Sequence, residues 1–195
     1  MATVERELFG GAITLNLPPK FDDISQFREV PDHQEVFVNA DEDQSVIVEI
    51  LEMVDTADDA CAAYHYQQLA EDNDAEDSSV VQSVSVLSNS ELPQWPIEAK
   101  LYLLLGQQRI AKYNERQTRA IGGDARNLVQ IMMVVIRLPL QQTDIVISYN
   151  VPLQISEISS SREVAHAGDI QEAELWFRTL LGSFQVKNWG LFGSN

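Results

Sequence analysis

From Leu128 to Leu138 the chain is almost continuously apolar, through Ile131, Met132, Met133, Val134, Val135 and Ile136. A run of this length without alternation suits a strand covered on both faces. Thr143 and Asp144 follow a polar turn and lead into Ile145 to Tyr149, so the spacing predicts an antiparallel central pair. Such a pair has two apolar faces to bury, which points to a sheet with helices on both sides.

The remaining elements fit around it. Ala12 to Leu17 reads as a strand stopped by Pro18 and Pro19, and Asp22 to Arg28 holds no more than a turn of helix. Gln34 to Asn39 and Ser45 to Leu51 are rich in Val and Ile and are joined by Asp41-Glu42-Asp43, the pattern of a hairpin. Thr56 to Asp59 matches a capping box opening a helix that runs toward Asn73, with Ala57, Ala60, Cys61 and Tyr64 on one side. Val80 to Leu87 and Lys100 to Leu105 are further strands. Gly106 then suggests a bend from which Arg109 to Tyr113 pairs back. Asp169 and Glu172 box a second helix, in which Ala173, Trp176, Phe177, Leu180 and Phe184 recur at helical spacing and should pack on the sheet. Asn73 to Asp77 is an acidic loop, and Ser156 to Gly168 lacks apolar periodicity and is expected to be a mobile loop. The expected class is α+β, a single domain over residues 1–195 with an antiparallel sheet of about six or seven strands between helices.

Composition limits what such a domain can do. No window approaches a membrane span, and the mixed-charge start Met1 to Leu8 is not a leader pattern, so membrane insertion and secretion are not expected. The one cysteine, Cys61, allows no internal disulfide and no thiolate zinc site, which fits a reducing compartment. The formal net charge is −17, and the only basic concentration, Arg109 to Arg126, is diluted by Glu115 and Asp124. Nucleic acid is therefore a poor partner, whereas a protein with a basic face is favoured. No heptad or unexplained long apolar edge is visible, so a monomer is expected.

The search for covalent chemistry finds little. There is no glycine-rich phosphate loop, nucleophile elbow or histidine pair spaced for a metal, and no cofactor is expected. Gly10-Gly11 and Gly122-Gly123 suit tight turns. His65, between two tyrosines in the first helix, reads as a partly buried, hydrogen-bonded structural residue, His33 as a turn residue among solvated acids, and Cys61 as a small core residue. His166 falls in the loop and carries no signal.

A longer constellation carries a resemblance. Leu8-Phe9-Gly10-Gly11-Ala12-Ile13, Leu17-Pro18 and Asp23-Ile24-Ser25 precede Val30-Pro31-Asp32-His33-Gln34-Glu35-Val36-Phe37. Tyr64-His65-Tyr66, Gly106 to Asn114, Ile136-Arg137-Leu138, Thr143-Asp144, Asn150-x-Pro152 and Leu191-Phe192-Gly193 follow in order. The set resembles the Ran guanine nucleotide release factor family, and the Val-Pro-Asp-x-Gln-Glu-Val core is its most specific part. No family pattern is recognised in Asn73 to Ser90 or Ser156 to Gly168. The resemblance implies a fold similar to the photosystem accessory protein PsbP, an α/β/α layering around an antiparallel sheet. It also implies binding of the GTPase Ran, release of its guanine nucleotide and support of nuclear import, with location in nucleus and cytoplasm. Other Ran-binding proteins are further partners it allows. The family's Ran-binding acids fall on Asp32 and Glu35, with Asp23 as a third. The residues by themselves leave open that Asp32 serves only its turn and Glu35 is only a solvated strand residue. An acidic PsbP-like module for a different protein partner, without nucleotide release, is the alternative.

Overall fold

The computed structural model describes residues 2–112, 124–163 and 167–193. Seven strands form one antiparallel sheet: β3 (Asp22–Asp23), β4 (Gln34–Asn39), β5 (Gln44–Glu52), β9 (Thr143–Gln154), β8 (Asn127–Leu138), β7 (Lys100–Ile110) and β6 (Val80–Leu87), in that spatial order. A second sheet of three strands, β1 (Val4–Leu8), β2 (Ile13–Leu17) and β10 (Gln185–Val186), is not paired with it.

The long apolar run sits at the centre as expected. Alternate residues of β8 serve the two cores: Met132, Val134 and Ile136 enter one, and Ile131, Met133 and Val135 the other. The first core is closed by α2 (Ile170–Ser183), through Trp176, Phe177 and Leu180, and by Ile13, Leu15 and Leu17 of the small sheet. Asp169 caps α2 by accepting from the amides of Gln171 and Glu172 at 2.8 and 3.0 Å, satisfying free donors at the helix start. The second core is closed by α1 (Cys61–Asp72) through Cys61, Ala62 and Tyr66. The layers are therefore helix, sheet, helix, with the three-stranded sheet sharing the second helix's side.

Several local expectations are corrected. Gly106 does not bend the chain, because β7 runs through it to Ile110, still paired with β8. The glycine is needed for another reason: a Cβ there would collide with the Tyr66 hydroxyl and ring. That hydroxyl donates toward the carbonyls of Gln107 at 3.0 Å and Val80 at 3.2 Å, fastening α1 to the sheet. Tyr113, placed in a returning strand from sequence, lies outside the described residues, as do Gly122, Gly123 and His166.

The capping box at Thr56 to Asp59 does not form. Ala57 and Ala60 hold the cap positions without side-chain bonds. Arg137 takes the neighbouring acceptors instead, donating to the Thr56 carbonyl at 2.9 Å and to Asp58 Oδ1 at 3.3 Å. Water can solvate an exposed helix start, but a buried guanidinium must find protein acceptors. The inward face of α1 also differs from expectation, since Ala57, Ala60 and Tyr64 are exposed while Cys61, Ala62, His65, Tyr66 and Ala70 are buried.

Within Ser156 to Gly168, Ser160–Glu163 form a helical turn, and Ser159 and Ser161 are buried beside Asn127, which donates to both hydroxyls. Polar anchoring of this kind leaves no apolar period to read. An apolar edge, unseen in the sequence, does exist at β6, which closes the large sheet with Val80, Val81, Val84 and Val86 exposed.

Candidate partner-binding surface

The three acidic candidates occupy the end of the large sheet opposite β6. Asp32 lies exposed in a turn closed by the Gln34 amide donating to the Pro31 carbonyl at 2.9 Å. A second amide, from Ile50, donates to the His33 carbonyl at 2.9 Å and fixes the turn to β5. Proline before Asp32 suits such a turn, because its locked φ and missing N–H belong outside a ladder.

Glu35 is not a merely solvated strand residue. It is half-buried, and its Oε1 accepts from the Phe9 amide at 2.6 Å. Phe9 begins a tight turn with positive φ at Phe9, Gly10 and Gly11, so the Gly10-Gly11 pair serves a turn as expected. Burial raises the Glu35 carboxyl above its ordinary range; the Phe9 hydrogen bond opposes this, and the charge of Asp23 adds to it. Asp23 accepts from the Ser25 amide at 2.8 Å, capping the turn Ile24–Gln26. Its β3 register opposite Phe37 sets it near Glu35, and the two carboxylates repel. The fold thus brings Asp23 and Glu35 together and sets Asp32 on the adjoining exposed turn.

Beside that turn, a cleft of about 360 Å³ opens between the β4–β5 hairpin and α1. His33, Gln34, Glu49, Tyr64, Gln68 and Asp72 are among the residues lining it. Gln34 donates to Glu49 across the hairpin at 2.6 Å. Glu49 and Tyr64, not singled out as site residues from the sequence, line the same cleft: Glu49 follows the buried Val48 on β5, and Tyr64 is exposed on α1 next to the buried His65.

The wall of the cleft is held from behind by an ion network. Asp144 and Arg137 face each other across β9 and β8, both fully buried, with Arg137 Nε donating to Oδ1 at 2.9 Å and Nη2 to Oδ2 at 3.0 Å. His65 reaches Oδ2 at 3.0 Å, and because a carboxylate only accepts, Nε2 carries the proton. The Val54 amide donates to the same oxygen at 3.2 Å. His65 is thus the hydrogen-bonded structural residue expected, and more deeply buried than expected. Burial pushes the Asp144 carboxyl up, but the bonds from His65, Arg137 and Val54 outweigh it and hold the group below its ordinary value. Cys61 stands nearby, fully buried; burial pushes its thiol up to about 11 despite the positive charge of Arg137. The position suits packing rather than nucleophilic chemistry.

Among the described residues, no group of three or more His, Cys, Asp or Glu side chains could hold a metal ion. No described helix is long and apolar enough to cross a membrane.

The acidic turn and the cleft thus lie together at the end of the large sheet opposite β6. Comparison with known proteins places the chain more closely. The family model for the Ran-interacting Mog1 protein matches residues 6–152. The chain is 36% identical over 197 residues to a probable Ran guanine nucleotide release factor of Dictyostelium discoideum, covering 98% of this chain and 97% of that one. It is 36% identical over 197 residues to the Ran guanine nucleotide release factor of Danio rerio, covering 97% and 100%. The solved structure of the Saccharomyces cerevisiae Ran-binding protein Mog1p superposes with a TM-score of 0.71 at 28% identity, over 99% of this chain and 100% of that one. The chain belongs to the Mog1 family.

Proposed function

We propose that this protein binds the small GTPase Ran and promotes release of its guanine nucleotide, in support of nuclear protein import. The observation that carries the reading is the full-length relationship to release factors, on a chain whose signature turn presents Asp32 beside the Asp23 and Glu35 pair. Asp32 offers an exposed carboxylate to a Lys or Arg of Ran. Asp23 and Glu35 supply negative potential behind it, stronger for being partly desolvated.

Release then needs no covalent step. A protein that favours nucleotide loss binds the empty or opened GTPase more tightly than the loaded one, and bound nucleotide weakens its affinity by the same factor. A coupling of about 1–3 kcal/mol corresponds to roughly 5- to 150-fold. The negative surface disfavours phosphates near it and competes for the cations that hold them. The protein acts as a monomer in nucleus and cytoplasm, without nucleic acid, and other Ran-binding proteins are compatible with its free surfaces.

The test is affinity for Ran in its empty and nucleotide-loaded forms, for wild type and for Asp32→Ala with Glu35→Ala. Tighter binding to empty Ran, weakened at least tenfold by the double substitution, is expected. Unchanged affinity in the double variant would remove these residues from the contact, and no complex in any nucleotide state would remove Ran as the partner.

A further inference from the structure

The edge strand β6 carries no charged residue from Val80 to Leu87, and nothing among the described residues pairs with its outer side. Native edges are ordinarily guarded by lysine, proline or a covering segment, since a free row of N–H and C=O groups templates another strand. Among the described residues the only guard is an irregularity between Val81 and Ser83, after which Ser83–Leu87 pair regularly with β7. The side chains have one apolar face. Val84 lies opposite Leu104 and Val86 opposite Tyr102, while Val81 lies opposite Gly106, so all three stand on the α1 side of the sheet. They are 46%, 43% and 72% exposed for Val81, Val84 and Val86, whereas Ser83 and Ser85 fall on the opposite face.

Acidic groups lie near both ends of this apolar stripe. Asp58 and Asp59 act on the Tyr102 hydroxyl opposite Val86; Arg137 offsets Asp58 through their ion pair, and Lys100 stands exposed two residues before Tyr102, so the net acidity at this end comes from Asp59 and the chain as a whole. Glu76 is exposed just before the other end. A second copy of a chain of net charge −17 is repelled from such an edge, whereas a basic strand is drawn to it.

We infer that β6 is a second docking edge, which accepts an extended segment of a partner protein with β-branched or apolar residues at alternate positions and Lys or Arg at its ends. Main-chain bonds to Ser83–Leu87 supply the pairing, and the alternate side chains cover Val84 and Val86 on the α1 face. The edge is five strand spacings from β4, about 24 Å, so both surfaces can be occupied at once. The inference is independent of the identity of the partner at the other end.

The probe is a synthetic peptide with paired lysines at each end and alternating threonine and valine between them, titrated onto the whole protein by fluorescence anisotropy. A shuffled peptide of the same composition is the control. The patterned peptide is expected to bind at least tenfold more tightly than the shuffled one, and to lose that advantage with Val84→Glu plus Val86→Glu. That variant adds negative charge at exposed positions, so a merely electrostatic attraction would rise instead. Equal binding of both peptides, or binding indifferent to the variant, overturns the inference. So does a wild-type dimer in sedimentation that the same variant dissolves, because the occupant is then a second copy.

Discussion

Asp144→Ala removes the centre of the only fully buried ion pair among the described residues, and its cost can be worked from the contacts. The carboxylate accepts two bonds from Arg137, one from His65 and one from the Val54 amide. Arg137 keeps the Val54 and Thr56 carbonyls and the exposed Asp58 at 3.3 Å, yet its charge loses its buried counterion. Breaking a buried pair from one side costs about 3–5 kcal/mol. For a domain of this size each kcal/mol lowers Tm by roughly 2–4 °C, so a fall of roughly 6–20 °C is expected. Replacing both partners with apolar residues, Asp144→Leu with Arg137→Met, should recover part of that loss, because no charge is then left buried, while His65 Nε2 and the Val54 amide still lack their acceptor. Urea unfolding of the wild type, both single variants and the double variant gives the coupling energy directly. The pH dependence has a defined sign. The folded Asp144 carboxyl lies below its ordinary 3.8, so its contribution is complete above that pH and is lost as pH falls through the folded value. A loss under about 1 kcal/mol for Asp144→Ala, or a double variant as unstable as the sum of the singles, would refute the reasoning.

Glu35→Gln keeps an acceptor for the Phe9 amide while removing a charge that burial and Asp23 both disfavour. It should therefore hold or slightly raise stability, whereas Glu35→Ala strands the amide and costs about 1–2 kcal/mol; thermal melts of the two variants distinguish these outcomes. Since the folded Glu35 carboxyl is raised, its ionisation opposes folding as pH climbs past the ordinary 4.5, and Glu35→Gln should flatten that part of the stability profile. Gly106→Ala would drive a methyl into the Tyr66 ring and hydroxyl, so α1 should loosen at a cost of about 1–3 kcal/mol. Faster amide exchange in α1 than in β8 would report it.

The sheet was legible in the sequence because its strongest signal, the apolar run of β8, is a backbone-wide requirement to be buried on both faces. The hairpin of β4 and β5 and the helix capped by Asp169 were legible for similarly local reasons. What stayed hidden depends on contacts distant in sequence. Arg137 on β8, 81 residues beyond Thr56 in the chain, took the acceptors at Thr56 and Asp58 that the capping box would have involved. Tyr66 set the need for Gly106 forty residues away in the chain. β1 was invisible because its Glu5, Arg6 and Glu7 show no apolar alternation, and pairing with β2 is what holds it extended. The acidic chemistry of the candidate surface could be read from the turn of Pro31 and Asp32. The burial of Glu35 could not, since it rests on the backbone of Phe9.

The most direct measurement is the rate at which a fluorescent guanine nucleotide leaves purified Ran, with and without this protein and its Asp32→Asn, Glu35→Gln variant. The isosteric pair removes the two charges while keeping the Phe9 hydrogen bond, so a loss of activity cannot come from a disturbed turn. Acceleration by the wild type, abolished in a variant that melts like it, is the expected result. Release at the unassisted rate in the presence of saturating wild type would contradict the proposed function. Full acceleration by the variant would contradict the part assigned to Asp32 and Glu35.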